Sequence, residues 1–132
     1  MNEKHFYQAE SNKTFEKVIS DLEQSVVDHG FLVLSKIDIQ KKFLLIGKPS
    51  NKMSVVQICN PEISYQAITL NNNLICMMPK DISVFVDSNN KVKVVFMRPD
   101  ISILEDSFPS INISELSTKV GYILQNIVEA AI

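Results

Sequence analysis

The chain has 132 residues, 45% of them hydrophobic and 21% charged, with a net charge of −2. That length suits one domain, residues 1–132, around one hydrophobic core, and the composition excludes general disorder. No basic cluster exceeds a pair such as Lys41-Lys42. Nucleic acid is therefore not an expected partner, because neutralising phosphates needs a concentrated basic face.

The opening residues Met-Asn-Glu-Lys-His-Phe-Tyr lack the apolar core of a signal peptide, and no run reaches membrane-spanning length. Two cysteines, Cys59 and Cys76, and two histidines, His5 and His29, form no metal-ligand spacing. The expectation is a cytoplasmic protein with free thiols, no membrane partner, no metal and no cofactor.

Residues 5–10 read as a short strand anchored by Phe6, and Ser11 or Asn12 is placed to cap the helix that follows. Phe15, Val18, Ile19, Leu22 and Val26 recur at helical spacing, which makes one apolar stripe. Gly30 stands where a helix end takes a left-handed residue. The β-prone run Phe31–Ile37 follows, then Asp38 as the cap of a short helical turn through residues 40–45. Gly47 to Lys52, with Pro49, reads as a loop.

The next stretch is the centre of the chain. Ser54-Val55-Val56-Gln57-Ile58-Cys59 is an apolar, β-branched strand. Asn60 is a favoured N-cap, Pro61 suits the first helical position, and Glu62 faces the positive end of the helix dipole. Cys59 thus falls just outside a helix start. Three asparagines, Asn71-Asn72-Asn73, end that helix. Pro79 biases Met78 to an extended backbone and opens a strand at Lys80, where a solvated strand-end lysine is expected.

Residues 81–98 form a hairpin about Ser88-Asn89-Asn90. Ile82, Val84 and Val86 alternate on one strand, and Val92, Val94 and Phe96 on the other. The opposite face, with Phe85, Val95 and Met97, needs a cover, from residues 99–113 or from a second copy of the chain. Asn112 and Glu115 match a capping box. The helix beyond them carries Leu116, Val120, Leu124, Ile127 and Val128 on one side.

Cys59-Asn60-Pro61 and Met77-Met78-Pro79 are the motifs through which the chain resembles domain of unknown function family 302. Thr14-Phe15-Glu16, Asp28-His29-Gly30-Phe31 and Ile37-Asp38-Ile39 extend the likeness, over roughly residues 5 to 99. The family commonly has a cysteine after that proline, where this chain has Lys80. A two-thiol role is therefore not carried over. The resemblance implies a small, often dimeric α/β domain related to the TATA-binding-protein-like fold, with no established activity.

The expected architecture is α+β: a mainly antiparallel sheet with helices on one face, in the order β-α-β(4)-α with a small inserted helix. Three functions compete. A binding module would hold a small molecule or anion between Cys59-Asn60 and Met78-Pro79-Lys80, using helix-start N–H groups, the lysine charge and adaptable methionines. A thiol-dependent protein would use Cys59 as nucleophile, but no base is nominated. A structural or regulatory homodimer would work through the hairpin face. The absence of paired carboxylates, a Ser–His–acid set or a phosphate-cradling glycine loop favours binding over catalysis.

Overall fold

The computed structural model describes residues 1–132. Five strands, β1 (Phe6–Ser11), β2 (Leu32–Asp38), β3 (Met53–Cys59), β4 (Lys80–Val86) and β5 (Val92–Met97), form one antiparallel sheet. Their order is β1-β5-β4-β3-β2, so β1 and β2 are the edges. Helices α1 (Phe15–Asp28) and α5 (Ser114–Ala131) pack on each other and on one face of that sheet. The structure is thus α+β, but three helices rather than one are inserted. They are α2 (Ile39–Leu45), α3 (Pro61–Leu70) and α4 (Ile101–Ser107), with a 3₁₀ segment at Asn72–Met77 after α3.

The core follows from the two periodicities. Val56 and Ile58 of β3, Ile82 and Val84 of β4 and Val94 of β5 are fully buried on the inner face. Val18, Leu22 and Val26 of α1 meet Leu124, Ile127 and Val128 of α5 over them. Ser25 of α1 donates to the Ile127 carbonyl at 2.7 Å, which ties the two helices at a polar point inside the contact.

Helix ends are set by local chemistry, in part differently from expectation. Thr14, not Ser11 or Asn12, caps α1 by accepting from the Lys17 N–H. Ser11 is instead buried and donates to the Ile132 carbonyl. Asp38 caps α2 through the Lys41 N–H. The Asn112–Glu115 capping box does not form: Ile113 occupies the cap without a side-chain bond, and Asn112 accepts from the Ser114 hydroxyl. Gly30 takes φ +80°, the left-handed conformation its position after α1 requires.

On β1, Tyr7 rather than Phe6 reaches the core, where its ring lies 5.4 Å from that of Phe96. The expected cover for the sheet's outer face does not come from residues 99–113. Leu104 and Ile113 turn inward to a second cluster with Ala67 and Leu74. The outer face keeps Met97 66% exposed, with Phe85 and Val95 partly exposed.

Replacing Leu22 by alanine leaves a void between α1, α5 and the sheet, and should cost about 2–5 kcal/mol in urea unfolding. Tyr122→Ser, at a side chain 67% exposed, should change stability by less than about 0.5 kcal/mol. Equal costs for the two would mean that the core is not where the burial places it.

Candidate functional site

The second cluster borders a cavity of about 70 Å³ whose walls are eighteen residues, twelve of them hydrophobic. Two wider surface clefts have only three and two hydrophobic residues in their walls, which makes the first the one apolar enough for a small organic ligand. Its volume holds about five to seven water-sized positions.

Cys59, Asn60, Met78, Pro79 and Lys80 all line this cavity. The register explains the meeting. β3 runs antiparallel to β4 with Ile58 opposite Lys80, so the end of one strand and the start of the next lie side by side. The stretch between them, α3 and the 3₁₀ segment, loops out and folds back, and Ala67, Leu74 and Met77 close the wall. Met78 is extended at φ −122° and ψ 150°, and the Met78–Pro79 bond is cis. Helix α5 and its approach, with Ile113, Leu116 and Ser117, form the opposite side.

The helix start of α3 is not the anion cradle that its sequence suggests. Pro61 has no N–H. Asn60 Oδ1 accepts from Glu62 and Ile63 at 3.1 Å each, and the Asn60 carbonyl accepts from Ser64 at 2.9 Å. Every donor of the first turn is therefore used within the chain. Cys59 is partly buried and its Sγ lies 3.1 Å from Ser64 Oγ. A serine hydroxyl takes up no proton at neutral pH, so this contact supplies no base. Cys76, on the 3₁₀ segment, is exposed and also a free thiol.

Lys80 is the group whose setting departs most from expectation. It is not a solvated strand end. Facing the same way as Ile58, it continues the inward row Lys80, Ile82, Val84. None of the chain's ion pairs includes it. Burial holds its amine below the ordinary lysine range, opposed by the nearby Asp81 carboxylate. Asp81 is the next residue of the strand and faces the other side.

Ser117 was not singled out by the sequence, yet it is a wall residue only 7% exposed. Its N–H bonds to the Ile113 carbonyl as a helical residue should. Serine at a buried helix position within an apolar stripe was the available signal.

The model of the family described as domain of unknown function DUF302 matches residues 7–131, beyond the range over which the motifs alone carry the likeness. The fold is similar to the crystal structure of an uncharacterized conserved protein DUF302 from Bacillus stearothermophilus. The TM-score is 0.86 at 19% identity, covering 97% of this chain and 98% of that one. No curated protein matches the chain.

Replacing Lys80 by methionine removes the desolvated charge and keeps the volume, so it should stabilise the protein at pH 7 by on the order of 1 kcal/mol. With the folded-state value depressed, the burial penalty is complete below that value, where both states are protonated. As pH rises toward the ordinary 10.5, the folded state sheds the proton first and stability recovers. Thermal melts of both forms from pH 7 upward should therefore converge, and a variant less stable at pH 7 would assign the ammonium a structural contact. A chain matched by the family model over nearly all its length, with the matching fold, belongs to the family of domain of unknown function DUF302.

Proposed function

We propose that the protein is a binding module for a compact small molecule, seated in the cavity between the end of β3 and the start of β4. The observation that carries this reading is Lys80: a cationic side chain in the inward row of a central strand, without an acid partner, on an otherwise apolar cavity. A lysine there works against stability, and such groups are retained where a ligand needs them. Cys59, Asn60, Met78 and Pro79 shape the remaining wall, the methionines adapting to the ligand's outline. A reducing compartment such as the cytoplasm suits the two free thiols.

Methyl-selective NMR with a set of compact fragments, charged and neutral, tests the reading. Binders should move the methyl signals of Ala67, Leu74, Leu104 and Ile113 together. A set in which no member moves them would reduce the cavity to a packing defect.

A homodimer is a second reading, and a separate observation favours it. Helix α2 has no buried residue, and the chain there exposes Leu44 (58%), Leu45 (80%) and Ile46 (71%). The edge strand before it exposes Leu32 and Leu34 as well. Apolar groups on and beside an open sheet edge are the features that a second copy would cover. In sedimentation velocity the wild type should dimerise with rising concentration and Leu45→Glu should stay monomeric. A wild type that is monomeric at the highest concentration would rule the dimer out.

A further inference from the structure

Beside the Asn60 amide, two polar groups of the cavity wall have no partner in the chain, and they come from elements far apart in sequence. One is the Lys80 ammonium at the start of β4. The other is the Ser117 hydroxyl on α5: the residue is more than nine-tenths buried and on the cavity wall, and its oxygen has no bond within the chain but is not sealed from solvent. Polar groups in an apolar setting cost free energy unless something bonds them. Serine hydroxyls inside helices ordinarily turn outward or bond back to the preceding turn, and this one makes no bond back and belongs to a residue of the cavity wall.

From that pair we infer the ligand's class: a compact, branched monocarboxylate, its carboxylate between Lys80 and Ser117 and its hydrocarbon part against Leu74, Leu104 and Ile113. The inference rests on the binding reading given above and narrows it. A carboxylate accepts only, and its two oxygens match one ammonium and one hydroxyl donor. It cancels the single uncompensated charge. A phosphate or sulfate would have to shed a much larger hydration cost to enter a wall that is mostly hydrocarbon, and a cation would meet Lys80. The apolar remainder of the wall rewards hydrocarbon removed from water, and the volume limits it to a few carbons. Burial that holds the Lys80 amine below its ordinary range is relieved when a carboxylate arrives, so the ligand and the proton on Lys80 stabilise each other.

Isobutyrate and isobutyramide share shape and size and differ in charge. In methyl-selective NMR titrations of the wild type at pH 7, isobutyrate should bind at least tenfold more tightly than isobutyramide. Lys80→Met should remove that preference, bringing the two to within about threefold of each other. Ser117→Ala, which suits a helix, should weaken isobutyrate about threefold or more with a smaller effect on the amide. Equal binding of acid and amide by the wild type, or tighter binding of the amide, would overturn the carboxylate and leave the binding cavity standing. Binding of neither, with the wider fragment set also silent, would remove both readings. Should Lys80→Met fail to fold, the wild-type comparison and Ser117→Ala still decide the matter.

Discussion

The pairing of β3 with β4 is the constraint on which the site depends. Side chains alternate strictly between the two faces of a strand, so one register decides the direction of every residue on it. Ile82 and Val84 must face the helices to build the core, and Lys80 is two residues before Ile82. Facing inward is therefore imposed on the lysine by its neighbours. A slip of one position would free Lys80 and expose Ile82 and Val84, at a cost of several kcal/mol in lost burial.

The same register explains why the cavity lies where it does. Strands β3 and β4 are sequential neighbours in the sheet, but their connection contains α3 and the 3₁₀ segment rather than a tight turn. That excursion loops out from the strand ends and faces the first turns of α5. It is packed by its own small cluster, Ala67 and Leu74, with Leu104 and Ile113 brought from α4 and the approach to α5. A small cluster assembled from four segments fills space less completely than the sixteen-residue core beside it. A cavity at their boundary is the physical result. It lies against Lys80, a lysine that the sheet cannot turn outward and that, unlike Lys36 on the same face, has no acid across from it.

The α3 helix start illustrates how a motif can be right in form and differ in consequence. Asn60 and Pro61 cap the helix as their chemistry demands, and that very cap consumes the donors through which helix starts bind anions. The site's polarity has moved from backbone to side chains, to Lys80 and Ser117.

Much of the fold was legible from local rules. The stripes of α1 and α5, the hairpin of β4 and β5, the caps at Asp38 and Asn60 and the left-handed Gly30 each follow from interactions within a few residues, and those are written in the sequence directly. The convergence of Cys59-Asn60 with Met78-Pro79-Lys80 was also legible, because strands joined by one excursion tend to pair. Tertiary structure alone decided the rest. It turned Lys80 from solvent into the core face, chose Tyr7 over Phe6 on β1, sent residues 99–113 to the helix side and left the outer face open. It also set a serine of α5 across from a strand some thirty-seven positions earlier in the chain. These outcomes depend on register and on contacts between distant segments, which no local pattern encodes.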